Sequence, residues 1–102
     1  MTTVRILFHP LADEDLETIY NFIAEDSPQR SIAFVRKLRK FCLGLDDVPM
    51  RGRSRDDLAP GVRTITFQKR VIVAYRLLGD DLTVLRLIYA GRDMEKVHWP
   101  EK

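Results

Sequence analysis

The chain has 102 residues, which predicts a single domain over residues 1–102, and its 45% hydrophobic and 31% charged content is typical of a globular fold. Its one cysteine, Cys42, excludes a disulfide framework, and neither a secretory leader nor an apolar run near the ~20 residues of a membrane span is visible, which predicts a cytoplasmic protein. The formal net charge of +2 is unevenly spread, because residues 1–50 carry six Lys or Arg and eight Asp or Glu, whereas residues 51–102 carry eleven and seven.

The first half of the chain predicts one strand and two helices. Residues 4–8 alternate, with Val4, Ile6 and Phe8 on one face of a short strand. A helix over roughly residues 10–25 follows, with acidic residues in its first turn and apolar residues at helical spacing. Ser27 as N-cap and Pro28 at the first helical position start a second helix over roughly residues 28–46. The short link between them predicts an antiparallel helical hairpin.

The second half predicts a sheet. Residues 46–61 contain two Pro and two Gly and are expected to be irregular. Three alternating segments, at 62–67, 71–77 and 82–90, are joined by tight links and predict an antiparallel meander. The first strand must join the same sheet to bury its apolar face. We therefore expect an α+β fold, in which the hairpin covers one face of a four-stranded, mainly antiparallel sheet and leaves the other face free and polar.

Arginines are the main candidates for binding. Arg51, Arg53 and Arg55 alternate in a glycine-containing loop, where they could follow a phosphate backbone or form a solvated loop neutralised by Asp56 and Asp57. Further arginines lie on the predicted strands or directly after them, at positions 63, 70, 76, 86 and 92. They could form a patch for phosphate or acidic side chains, or a solvated strand face that deters edge aggregation.

The C-terminal tail offers a second kind of site. Arg92 and His98 could act as a phosphate clamp and a general acid or base, and Trp99 could stack on a base. Alternatively, Trp99 packs back on the domain with Val97. The spacing of Cys42 and the two histidines matches no metal site, and no phosphate-binding loop or dinucleotide motif is present, so no metal or cofactor is predicted.

Four segments in this order resemble the ParE-type toxins of the RelE/ParE superfamily. They are Pro10–Ile19, Arg53–Arg63, Val71–Arg76 and Leu85–Asp93. The resemblance implies the strand–helix–helix–three-strand fold and the toxin component of a type II toxin–antitoxin system, of the kind that stabilises plasmids. ParE-like members are associated with inhibition of DNA gyrase, and RelE-like members with ribosome-dependent cleavage of mRNA.

The two branches imply different residues. A RelE-like ribonuclease needs cations around the scissile phosphate, but the middle strand has Ile72 and Val73 where such enzymes tend to place an arginine. We therefore favour a gyrase-binding inhibitor over an endoribonuclease. Its expected target contacts are Arg51, Arg53, Arg55, Arg86 and Arg92. In the ribonuclease alternative, Arg92 and His98 are the catalytic residues and the ribosome with its mRNA is the target.

The resemblance also implies a cognate, ParD-like antitoxin in a hetero-oligomer with this chain. An antitoxin tail that folds on binding would dock on the helical hairpin. The expected contacts are Phe34, Leu38 and Phe41 on the second helix.

Overall fold

The computed structural model describes residues 4–89 and 97–100. Along the chain, a first strand, β1, is followed by two helices, α1 and α2, and then by four strands, β2 to β5. Their bounds are β1 Arg5–Phe8, α1 Pro10–Ala24, α2 Pro28–Leu43, β2 Arg53–Ser54, β3 Val62–Phe67, β4 Val71–Leu78 and β5 Asp81–Tyr89. A single 3₁₀ turn, Gly44–Asp46, extends α2.

Side-chain caps define where each helix begins. The His9 imidazole Nδ1 accepts a hydrogen bond from the Leu11 amide at 3.0 Å, and Pro10 occupies the first helical position. The Ser27 hydroxyl accepts from the Arg30 amide at 3.2 Å ahead of α2, as the sequence predicts. The Ser31 hydroxyl then donates to the Tyr20 carbonyl of α1 and ties the two helices together.

The five strands form one mixed sheet in the order β1-β5-β4-β3-β2. The edge strand β1 runs parallel to β5 and pairs only with Asp81–Val84, whereas the other neighbours are antiparallel. The prediction that the first strand joins the sheet is confirmed. The prediction of four strands is wrong by one, because Arg53 and Ser54 leave the irregular segment to pair with Thr64 and Arg63 as a fifth, two-residue strand.

The main core lies between the helical hairpin and one face of the sheet. Fully buried side chains from both layers meet there, among them Leu38 and Cys42 of α2 and Val73, Tyr75 and Val84 of the sheet. The apolar spacing of both helices therefore serves this interface, which is the arrangement that the sequence predicts.

The other face of the sheet carries a second apolar cluster. Val62, Ala74 and Leu85 are buried there, and Trp99 and Ala59 pack against them. The expectation that this face is free and polar is wrong at its centre, because the tail residue Trp99 returns to cover it. In residues 4–89 and 97–100, no helix is both long and apolar enough to cross a bilayer.

Candidate functional site

An exposed loop at residues 48–53, called the arginine loop below, precedes and includes the start of β2. Its first four residues form a β-turn, in which the Arg51 amide donates to the Val48 carbonyl at 3.0 Å. Pro49 holds the second turn position, for which its fixed φ is suited, and Met50 follows with 58% of its surface exposed. The turn thus places the exposed apolar side chain of Met50 next to Arg51.

The buried Tyr75 of β4 anchors this loop from inside. Its hydroxyl accepts from the Gly52 amide at 2.7 Å and donates to the Pro49 carbonyl at 2.9 Å. Arg63 of β3 adds a third bond, donating from Nη1 to the Gly52 carbonyl at 2.8 Å. Gly52 is required by close approach, because a Cβ atom there would lie 2.6 Å from the Tyr75 Oη. The loop backbone is therefore fixed on the sheet.

The three arginines predicted as a group in this region have different surroundings. The Arg51 guanidinium carbon lies 5.9 Å from the centre of the Phe41 ring, a cation–π arrangement. Arg53 is exposed on β2. Arg55 is bonded to Asp57 through both its Nε and its Nη2, at 2.9 Å each, which raises the pKa of Arg55 and lowers that of Asp57. The structure thus leaves Arg51 and Arg53 together on the surface, with Arg55 paired.

Arg86, predicted as a target contact, lies inside the molecule instead, with 7% of its surface exposed. Its Nε and Nη2 donate to the two carboxylate oxygens of Asp15 at 2.8 and 2.9 Å. The bond from Asp15 raises the pKa of Arg86 above its ordinary value. Asp15 also accepts from the Leu87 amide at 2.9 Å, at a point where β5 extends beyond β1. A buried guanidinium in these contacts cannot reach a partner protein without breaking them.

Sequence reasoning missed the role of Asp15. The acidic residues near the start of α1 predict a solvated helix start, and Asp13 and Glu14 are indeed exposed, but Asp15 is buried. Only its position on the apolar side of the helix, three residues after Ala12 and four before Ile19, distinguishes it from them. That signal indicates burial, but it does not identify Arg86, which is 71 positions away, as the partner.

The tail residues of the ribonuclease alternative are only partly described. Arg92 lies outside the described residues. His98 is exposed, and its backbone carbonyl accepts from the Arg86 Nη1 at 2.7 Å. Val97 and Pro100 are buried on either side of it, and Trp99 packs on the second apolar cluster. Trp99 therefore takes the packing position that the sequence offered as an alternative to base stacking.

The residues expected to contact an antitoxin mostly face the core. Leu38 is fully buried, and Phe34 is 8% exposed and lies edge-on to Phe67 with 5.7 Å between ring centres. Phe41 is half-buried against the same ring. Beside Phe34, a groove opens between the hairpin and the end of the sheet. Its apolar side chains include Phe22, which is 61% exposed. Its charged lining has three cations, Arg30, Lys37 and Arg70, and two acids, Glu25 and Asp26.

The two helices carry opposite charge. α1 contains four acidic residues and no Lys or Arg, whereas α2 contains five cations, at positions 30, 36, 37, 39 and 40, and no acid. None of those five forms a salt bridge within the part of the chain that the structure describes. The exposed side of α2 is therefore a cationic surface next to the groove.

Neither a metal centre nor a reactive thiol emerges from the described residues. Residues 4–89 and 97–100 contain no cluster of three His, Cys, Asp or Glu side chains able to hold a metal ion. Burial raises the pKa of the Cys42 thiol to about 12, despite the opposing charge of Arg39 nearby. A thiol with so high a pKa stays protonated at neutral pH, which makes it a poor nucleophile.

Comparison with known proteins identifies similar chains. Residues 6–94 match the family model for the ParE toxin of the type II toxin–antitoxin system parDE. Toxin ParE3 of Caulobacter vibrioides is 32% identical over 75 residues, which cover 72% of this chain and 74% of that protein. A solved structure of the chromosomal ParDE system of P. aeruginosa has the same fold, with a TM-score of 0.75 and 23% identity, over 87% of this chain and 98% of the other.

Proposed function

The chain belongs to the ParE family of type II toxin–antitoxin toxins, and we propose that it arrests growth by binding and inhibiting DNA gyrase. The choice of gyrase as the target rests on the hydrogen bonds that the arginines of the sheet make within the chain. Arg63 and Arg76 donate to the chain's own carbonyls, at Gly52 and Pro60, and Arg86 donates to Asp15 and His98. These bonds direct the guanidinium groups at the chain itself, whereas a ribonuclease would direct them at the scissile phosphate. The arrangement favours recognition of a protein surface.

A supercoiling assay tests this proposal. Relaxed plasmid, gyrase and ATP are incubated with increasing amounts of the purified chain, and the supercoiled product is measured on an agarose gel. We expect supercoiling to fall as the chain is added. The control is topoisomerase I, whose relaxation of the same plasmid should be unaffected.

The ribonuclease alternative is tested in parallel. After induction of the chain in cells, primer extension on abundant mRNAs shows whether new 5′ ends appear. Undiminished supercoiling together with new 5′ ends that vanish in His98→Ala would contradict gyrase as the target. Growth arrest by His98→Ala equal to that of the wild type would support the proposal.

We further propose that a cognate antitoxin docks on the helical hairpin, over the groove beside Phe34. Support comes from the exposed Phe22 and from the cations of α2, which would attract an acidic, amphipathic segment. The predicted contact Leu38 is fully buried, so it would support this surface from the core without touching the antitoxin.

Two matched substitutions test the docking site. Phe22→Ala removes a side chain that is 61% exposed in the groove, and Leu78→Ala removes one that is 60% exposed at the end of β4. We expect Phe22→Ala to remain toxic but to need more co-expressed antitoxin for neutralisation. Leu78→Ala should be neutralised as the wild type is. Equal neutralisation of both variants would place the antitoxin elsewhere.

A further inference from the structure

We infer that the arginine loop, Val48 to Arg53, is the surface through which this chain grips its target, and that the matching target surface carries carboxylates beside aliphatic side chains. The inference rests on the proposed function and assigns that function to particular residues. It excludes Arg86, which is buried, and Arg55, which is engaged by Asp57.

The composition of the loop favours a protein partner. Val48 and Met50 are 45% and 58% exposed, and Arg51 and Arg53 lie beside them. Met and Arg are enriched at protein interfaces, where long apolar stems and guanidinium forks are buried together. A phosphate backbone would satisfy the two arginines but would leave the two apolar side chains in water. Carboxylates next to aliphatic groups satisfy both kinds of side chain.

The charges around the loop support an acidic partner. Asp57 is bonded to Arg55, and Asp56 accepts from the Gly61 amide at 2.8 Å and from the Ser54 hydroxyl at 3.3 Å. These acids on the C-terminal side are therefore engaged, whereas Asp46 and Asp47 on the N-terminal side are exposed and form no salt bridge within the described residues. Within the described residues, neither Arg51 nor Arg53 has a carboxylate in salt-bridge range. Their donors remain available to carboxylates of another molecule.

The loop is also held in place before binding. Three hydrogen bonds, two made with the Tyr75 hydroxyl and one donated by Arg63, fix the backbone on both sides of Arg51. The Arg51 guanidinium carbon also lies 5.9 Å from the centre of the Phe41 ring, within the range of a cation–π contact. A surface fixed in this way loses little conformational entropy when it binds, so few residues can contribute much of the affinity.

Charge reversal in the loop tests the inference. The double variant Arg51→Glu, Arg53→Glu is compared with Arg36→Glu, which reverses an exposed cation on α2 outside the loop. All proteins are first checked for wild-type thermal unfolding by circular dichroism. We expect the double variant to need at least about tenfold more protein for half-inhibition of gyrase supercoiling. Met50→Ala should weaken inhibition in the same direction, and Arg36→Glu should inhibit as the wild type does.

The outcomes separate this inference from the proposed function. If the wild type leaves supercoiling unchanged, the proposed function fails and the inference fails with it. If the wild type inhibits and the folded double variant inhibits equally, only the inference is overturned.

A DNA-binding control addresses the other macromolecule present in the assay. Binding of each protein to a labelled 20-base-pair duplex is measured by fluorescence anisotropy without gyrase. One combination of results would overturn the inference of a protein partner and show that the loop contacts DNA. The wild type would bind the duplex and the double variant would not, while Met50→Ala would change neither duplex binding nor inhibition of supercoiling. If the duplex affinity is weak and equal for all variants, the inference is supported.

Discussion

Replacing Asp15 by alanine should be among the most damaging single changes in this chain. The substitution removes an acceptor of three hydrogen bonds, at 2.8, 2.9 and 2.9 Å, two from Arg86 and one from the Leu87 amide. The side chains of Asp15 and Arg86 are 7% and 9% exposed. The remaining guanidinium would therefore be a buried charge with only the His98 carbonyl as partner.

The expected loss can be estimated from these contacts. Removing one partner of a buried ion pair costs about 3–5 kcal/mol, because the other charge stays desolvated without compensation. A folded domain of this size has a total stability of about 5–15 kcal/mol, so the loss is a large fraction of it. It corresponds to a fall in melting temperature of at least about 12 °C. The Leu87 amide, now unpaired, adds to the cost.

The measurement is thermal and urea unfolding of Asp15→Ala, followed by circular dichroism. Asp81→Ala is the matched control, because Asp81 also receives two bonds from one arginine, Arg5, but at the surface. We expect the control to melt close to the wild type, since solvent screens exposed pairs. If both variants lost the same small stability, the buried pair would contribute no more than an exposed one, and the reasoning would be refuted.

Three further predictions concern other buried groups. Gly52→Ala should lower the free energy of unfolding by about 1–3 kcal/mol in urea titrations, because its new Cβ would overlap the buried Tyr75 ring. The control is Gly44→Ala, which should be neutral or slightly stabilising because no atom lies within 4 Å of its new Cβ. Cys42 has an ordinary pKa of 9.0 that burial raises to about 12, so the folded state holds its proton more tightly and stability should fall between about pH 9 and pH 12. This fall should be smaller in Cys42→Ala, and equal slopes for both proteins would contradict it. Trp99→Ala should lower the melting temperature by uncovering the second apolar cluster, and an unchanged melting temperature would mean that the tail contributes nothing to it.

The sequence predicts most of the fold because most of its elements are locally encoded. The start of α2 follows from Ser27 and Pro28, and β3 begins and ends where its alternation does, at Val62 and Phe67. The sequence does not predict β2, because two residues are too few to show the alternation of polar and apolar side chains that marks a strand. Arg53 and Ser54 form a strand only by pairing with β3. The parallel direction of β1 was likewise not predicted, since it depends on how α1 and α2 return the chain across the sheet.

The candidate site was less predictable, since it depends on contacts between distant residues. Alternating arginines in a turn-rich segment predict Arg51 and Arg53 as target contacts, and the structure places both on the surface. The adjacent Asp56 and Asp57 indicate that an arginine of this segment could be neutralised, but they do not identify Arg55 as the one that Asp57 engages. Nothing in the local sequence indicates that Arg86 is buried, because its position on β5 predicts a solvated or partner-facing side chain. Burial on the apolar side of α1 was visible for Asp15, but its partner was not.

Arginines of the sheet also hold neighbouring irregular segments in place, a role that their number in the sequence does not indicate. Arg63, Arg76 and Arg86 each donate from a strand to a backbone carbonyl of an irregular segment, at Gly52, Pro60 and His98. Such segments lack the ladder partners of a strand, and their carbonyls need other donors where water is excluded. A guanidinium can meet this need while also bonding elsewhere, because it carries five N–H groups in a fixed plane, as Arg86 does with Asp15 and His98 together. The positive charge of the second half of the chain is therefore a poor measure of its free cationic surface.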